Sequence, residues 1–96
     1  MSVVARKTHT DLARRFAVVA AVTRRYKEKG NPVLDIDGAR ISFPTTGTAP
    51  TWGLVRASNP GPILVMRFEA GSAAELAAIV AEVEGVVAEE RAKAAS

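Results

Sequence analysis

The sequence contains no cysteine, one histidine and only 5% aromatic residues. The lack of cysteine excludes disulfides, thiolate metal sites and cysteine nucleophiles, and it is compatible with a cytoplasmic protein. No charged start is followed by a long apolar run, so we predict neither a signal peptide nor a membrane span. The single histidine, His9, precedes a predicted helix, where we expect no acid–base role. With 48% hydrophobic residues, residues 1–96 are expected to form a single domain with one small core.

Positive charge is concentrated in the first half of the chain. Residues 1–50 carry a net charge of +5, whereas residues 51–96 carry −2. Such a division is found in some nucleic-acid-binding proteins, and it also suits an anionic substrate. The basic stretch lacks a series of interleaved aromatic residues for stacking on bases, so we favour a solvated helix face and expect no nucleic-acid partner.

Two segments have the apolar spacing of an amphipathic helix. The first helix is predicted over 11–27, behind a Thr-His-Thr-Asp cap at 8–11. Its apolar positions recur at helical spacing, namely Leu12, Phe16, Val19, Thr23 and Tyr26. The second helix is predicted over 73–91, behind a capping box formed by Ser72 and Glu75.

Short apolar segments between the two helices predict four β-strands, at 33–36, 39–43, 52–57 and 63–68. Asp37 and Gly38 indicate a two-residue hairpin between the first two, because both turn positions favour positive φ. In that hairpin Leu34 would share the apolar side with Ile41. Residues 2–5 are either a fraying terminus or an edge strand. We therefore predict an α+β fold, with two helices on one face of a small antiparallel sheet of about four strands.

The last of these strands is apolar on both faces at its start. Ile63 and Val65 point to the side opposite Leu64 and Met66. The second sheet face is therefore expected to be covered by a partner chain or a missing domain, or to be a tolerated apolar surface patch.

Polar residues cluster in the connection between the last two predicted strands. Arg56, Ser58, Asn59 and the backbone N–H of Gly61 bring a guanidinium, a hydroxyl, a carboxamide and an amide together within six residues. These donors suit a phosphate or a carboxylate. The same residue types are ordinary in hairpin turns, so the residues alone support both interpretations.

The stretch around this connection resembles the carboxy-terminal domain of the α-D-phosphohexomutases, the phosphomannomutase/phosphoglucomutase family. The matching residues are Trp52, Gly53, Leu54, Val55, Arg56, Ser58, Asn59 and Pro62, then Arg67, Phe68, Glu69 and Ala70. The resemblance extends to the Asp-Gly-Ala-Arg-Ile segment at 37–41 and to the Ser-x-x-Glu-Leu helix start at 72–76. It covers most of the chain from about residue 33 onward.

The resemblance implies a TBP-like fold and a role in binding substrate. In the family, four domains enclose a hexose phosphate, a phosphoserine on the first domain exchanges its phosphoryl group with the sugar, and Mg²⁺ sits on the second. The last domain of the family binds the non-reacting phosphate through a loop. The positions that match this loop here are Arg56, Ser58, Asn59 and Gly61, so the resemblance implies that these residues bind phosphate. The chain has no nucleophile loop and no magnesium loop, so we expect no catalytic residue, metal site or cofactor within it.

Pro60 departs from the family, which generally has Thr there, and it supplies neither a hydroxyl nor a backbone N–H. At roughly 1.5–3 kcal/mol for each hydrogen bond to a charged group, two missing donors weaken phosphate affinity by orders of magnitude. We still favour a phosphate-binding loop with fewer contacts. The chain is then the phosphate-binding domain of a phosphomannomutase/phosphoglucomutase, with hexose phosphate or inorganic phosphate as ligand and the remaining domains as partners. The alternative is a stand-alone binding module of the same fold with a protein partner on the apolar sheet face.

Overall fold

The computed structural model describes residues 2–9, 14–35, 38–44, 50–58 and 63–95. In these ranges the element order is β1 (Ser2–His9), α1 (Arg15–Glu28), β2 (Val33–Leu34), β3 (Ala39–Phe43), β4 (Thr51–Ala57), β5 (Ile63–Ala70) and α2 (Ala73–Ala95). The strands form one antiparallel sheet in the order β1-β5-β4-β3-β2. The predicted α+β class is confirmed. Neither helix in these ranges is both long and apolar enough to cross a membrane.

The amino-terminal strand β1 adds a fifth strand to the described part of the sheet. It pairs with β5 along its whole length, from Ser2 opposite Ala70 to His9 opposite Ile63. Of the two interpretations of this segment, the edge strand is therefore found. A mixed polar sequence is tolerated at an edge because only one side of the strand needs a partner.

The hairpin of β2 and β3 has a longer connection than predicted. A two-residue turn would place Leu34 opposite Ile41, but Leu34 lies opposite Arg40. A shift of one residue in register moves each side chain to the other face of a sheet. Leu34 is accordingly 61% exposed, whereas Val33 packs against the core.

Gly38 brings this connection into contact with β4. Its φ of +98° confirms the positive φ predicted at this turn position, while Asp37 lies outside the described residues. A Cβ atom on Gly38 would lie 2.5 Å from the carbonyl oxygen of Val55 and 2.6 Å from the Cβ atom of Arg56. The connection thus touches the backbone of β4 at a predicted site residue.

The second helix begins as predicted and ends later. The backbone N–H of Glu75 donates to the Ser72 hydroxyl at 3.2 Å, while the Ser72 hydroxyl lies 3.2 Å from the Glu75 carboxylate. Helix α2 continues past the predicted end at 91 to Ala95. The added residues are strong helix formers, and Ala94 packs against the core.

The core lies between the two helices and one face of the sheet. The largest side chains with less than 2% exposure are Tyr26, Phe68, Ile41, Leu64, Met66, Val18, Val22, Val55, Val83 and Val87. The buried stripe of α1 therefore differs from the predicted one, and Phe16 is 59% exposed. Tyr26 is confirmed in the core, where its hydroxyl donates to the Glu82 carboxylate at 2.8 Å and its ring meets Phe43 edge-on. Burial, reinforced by this carboxylate, raises the pKa of Tyr26 above its ordinary value.

Replacing Gly38 by alanine is expected to destabilise the fold by about 2 kcal/mol or more. The new Cβ atom would enter the β4 backbone, and alanine at positive φ is strained by about 1–2 kcal/mol. Gly85→Ala is the matched control, because Gly85 lies in α2 with no atom within 4 Å of the new Cβ atom. Urea unfolding should show a gain of about 1 kcal/mol for Gly85→Ala. Equal effects in the two variants would contradict the close approach at Gly38.

Stability is expected to fall as the pH rises above about 10. An unfolded tyrosine ionises there, whereas the raised pKa of folded Tyr26 keeps its proton on. The unfolded state then binds fewer protons, so its free energy drops by up to about 1.4 kcal/mol per pH unit relative to the folded state. Tyr26 is the only tyrosine, so tyrosinate absorbance should appear together with unfolding. Tyr26→Phe should remove this part of the slope, and tyrosinate formed in fully folded protein at pH 10 would refute the prediction.

Candidate anion-binding site

The candidate site lies at the end of β4. Arg56 is exposed on the sheet face away from the helices, because its neighbours Val55 and Ala57 pack on the core side. Val65 stands opposite Arg56 on β5. A guanidinium presented by a paired strand has five donors in a planar fork, which suits a phosphate or carboxylate.

Ser58 directly follows β4, and both polar groups of its backbone are bonded. Its N–H donates to the carbonyl oxygen of Ile63 at 2.8 Å, which joins the two ends of the connection between β4 and β5. Its carbonyl oxygen accepts a hydrogen bond from Nε of Arg15 at 3.0 Å. The structure thus places two of the predicted site residues, Arg56 and Ser58, at one strand end. Asn59 and Gly61 lie outside the described residues, so their part in the site stays a prediction.

Arg15 contacts the candidate site, although no sequence pattern indicated it. It is the first residue of α1, and 43 positions separate it from Ser58. Its Cζ atom also lies 4.3 Å from the centre of the Phe16 ring. No local pattern links a helix start to a connection so far along the chain. The excess of basic residues in the first half was the one available signal, and it did not single out this position.

The sheet face that carries Arg56 is covered by neither helix. We call it the open face, and its members on β3, β4 and β5 are Arg40, Ser42, Trp52, Leu54, Arg56, Ile63, Val65, Arg67 and Glu69. The three arginines are exposed, while the apolar members are half-buried. This agrees with the prediction that the start of β5 is apolar on both faces.

Trp52 is held in place on the open face by polar neighbours. Its indole N–H donates to the Glu69 carboxylate at 2.8 Å, and Cζ of Arg40 lies 4.5 Å from the ring centre. Glu69 and Ser42 are its cross-strand neighbours. A cation–π contact of this kind contributes about 0.5–1 kcal/mol at an exposed site. Trp52 therefore presents a fixed aromatic ring on the open face, at the end of β4 away from Ser58.

Charged side chains on α1 pair with carboxylates elsewhere. Arg25 lies 3.3 Å from Glu90 and 3.3 Å from Glu89, and these carboxylates raise the pKa of Arg25. Lys27 bonds to Asp35 at 2.8 Å and thereby lowers the pKa of that carboxyl group. Part of the charge division between the two halves of the chain is thus neutralised internally. Among the described residues, no three histidine, cysteine or acidic side chains gather into a group that could hold a metal ion.

Residues 2–86 match the family described as phosphoglucomutase/phosphomannomutase, C-terminal domain. A phosphomannomutase/phosphoglucomutase from Pseudomonas aeruginosa is 40% identical over 62 residues, which are 65% of this chain and 12% of the relative. The Pseudomonas putida enzyme of the same description is 44% identical over 62 residues, with the same two shares. The chain thus spans only about 12% of the length of these curated relatives.

A solved structure has a similar fold. It is the crystal structure of a phosphoglucomutase/phosphomannomutase family protein from Burkholderia thailandensis, with a TM-score of 0.67 and 27% identity. The match covers 94% of this chain and 18% of that protein. Most of this chain therefore has a counterpart of similar fold within a much longer protein.

The apolar residues of the open face are expected to contribute little to folding. Leu54→Ala on that face should cost less than about 1 kcal/mol, because Leu54 is only half-buried. Leu64→Ala, at 0% exposure in the core, should cost about 2–5 kcal/mol. Urea unfolding of the two variants compares the two positions directly, because the change of side chain is the same in both. A loss as large for Leu54 as for Leu64 would show that this face is needed for the fold itself.

Proposed function

The chain belongs to the phosphoglucomutase/phosphomannomutase C-terminal domain family, and from that membership we propose that it is the substrate-phosphate-binding part of a phosphohexomutase. It grips the non-reacting phosphate of a hexose phosphate while other domains carry out the intramolecular phosphoryl transfer. The observation that carries this proposal is the shared position of Arg56 and Ser58 at the end of β4, with Arg15 bonded to Ser58. The chain is not catalytic by itself.

Each of the four proposed residues supplies a different donor. Arg56 offers charge-assisted and bidentate contacts, Ser58 a hydroxyl, Asn59 a carboxamide and Gly61 a backbone N–H. Binding energy from a phosphate that does not react can be used to place the reacting hydroxyl and close the cleft. The nucleophilic serine and Mg²⁺ belong to other domains of the full-length enzyme. This chain therefore contributes binding and orientation.

The open face is proposed as the surface that the remaining domains cover. Half-buried Trp52, Leu54, Ile63 and Val65 form an apolar patch, and such patches are typical of protein interfaces. Arg56 belongs to the same face, so a domain seated there would enclose the bound phosphate from one side. An enzyme of sugar phosphates also fits a cytoplasmic location.

The open face equally supports a second candidate function. A stand-alone module of this fold would use the same apolar patch to bind a protein partner, with or without a working anion site. The two functions differ in what happens at the connection after β4. Only the first requires phosphate to bind there.

Phosphate titration of the isotope-labelled chain tests the first function. Glucose 1-phosphate and inorganic phosphate should give localised, saturable NMR shifts in the backbone amides from Arg56 to Gly61. Arg56→Gln should weaken the affinity by about 10- to 100-fold, because hydrogen bonds to a charged group contribute roughly 1.5–3 kcal/mol. Arg24→Gln is the control, since Arg24 is an exposed arginine of α1, away from the open face, and loses the same charge.

The control should stay within about twofold of the unaltered chain, because Arg24 lies roughly 14 Å along α1 from Arg15, which is more than a Debye length. Equal losses in the two variants would mean non-specific attraction to a basic surface. No shift at high millimolar ligand would remove the phosphate-binding proposal and leave the protein-binding module as the favoured function.

A further inference from the structure

We propose that Arg15 is a positioning residue for the candidate phosphate site, an inference that rests on the proposed function. Nε of Arg15 donates to the carbonyl oxygen of Ser58 at 3.0 Å, while the N–H of Ser58 donates to Ile63 at 2.8 Å. Both polar groups of the Ser58 backbone are thereby held. Ser58 stands directly before residues 59–62, which carry the other proposed donors. Arg15 thus acts on the ligand through Ser58.

The helix that carries Arg15 is itself well anchored. Val18 and Val22, on the following turns of α1, are 1% and 0% exposed in the core. A donor at the start of a packed helix holds its acceptor with little freedom, so Ser58 has a defined place before any ligand arrives. Ligand binding to an ordered segment loses less conformational entropy than binding to a mobile one.

The other side of the same strand end is supported by Gly38. The absence of a side chain there lets the β2–β3 connection lie against Val55 and Arg56. The end of β4 is therefore held by α1 through Arg15 and by the β2–β3 connection through Gly38. Of these two supports, only the Arg15 side chain can be shortened without inserting new atoms into the backbone of β4.

Arg15→Met tests this role in the full 96-residue chain, because methionine keeps an unbranched side chain and has no donor at the position of Nε. Loss of one hydrogen bond should accelerate hydrogen exchange of the Ser58 amide and weaken phosphate binding by about three- to tenfold. Arg24→Met is the control, because Arg24 is exposed on the same helix and loses the same charge. The control should change neither quantity. Urea unfolding and exchange of the buried Val83 amide verify that the fold is intact in both variants.

Arg15→Gln separates positioning from direct attraction to the anion. Glutamine loses the charge, but its amide nitrogen is as many bonds from the backbone as Nε of arginine and can donate to the Ser58 carbonyl oxygen. The positioning role therefore predicts that Arg15→Gln binds phosphate more tightly than Arg15→Met, at low and at high salt. Binding in Arg15→Gln as weak as in Arg15→Met would overturn the inference. So would an unchanged Ser58 amide in Arg15→Met, or equal losses in Arg24→Met.

The same data distinguish failure of this inference from failure of the proposed function. If the unaltered chain binds no phosphate, the proposed function fails and the phosphate role of Arg15 fails with it. In that case faster exchange at Ser58 in Arg15→Met would still report the contact between α1 and the connection. If the unaltered chain binds phosphate and Arg15→Met binds it equally well, only the role of Arg15 is overturned.

Discussion

Side chains alternate along β4 between the core side of the sheet and the open face. Val55 is fully buried beneath the helices, and its neighbour Arg56 points to the open face. In a strand these two outcomes are inseparable, because successive side chains point to opposite faces. The apolar contacts that hold α1 and α2 on the sheet therefore also present the guanidinium to solvent. A one-residue shift in the pairing of β4 would turn Arg56 toward the helices and Val55 toward the open face. The core packing and the exposed guanidinium would then both be lost.

Structural features that depend only on residues close together in the sequence were predicted well. The capping box at Ser72 and the alternation in β4 and β5 depend on neighbouring residues, so their patterns were sufficient. Arg56 and Ser58 were placed at a strand end for the same reason, helped by a resemblance that covers their motif. Asn59 and Gly61 could not be compared, because they lie outside the described residues.

The remaining differences come from contacts between distant segments. Leu34 is exposed because it pairs with Arg40, through a connection that is longer than the Asp-Gly signal predicts and that lies against Val55 and Arg56 of β4. The contact of Arg15 with Ser58 joins a helix start to a connection 43 positions away, which no periodicity can show. The basic residues of α1 likewise find partners such as Glu89 and Glu90 on α2. Chain topology decides each of these contacts.

The pairing of β1 with β5 also governs the order in which the domain can assemble. Ser2 lies opposite Ala70, so this ladder closes a loop that contains most of the chain. Contacts between such distant segments are formed late, because the entropy of closing the loop is lost before the contacts are gained. During synthesis on a ribosome, β1 therefore lacks its partner strand until β5 has been made. The described sheet is complete only when the chain as far as Ala70 has emerged.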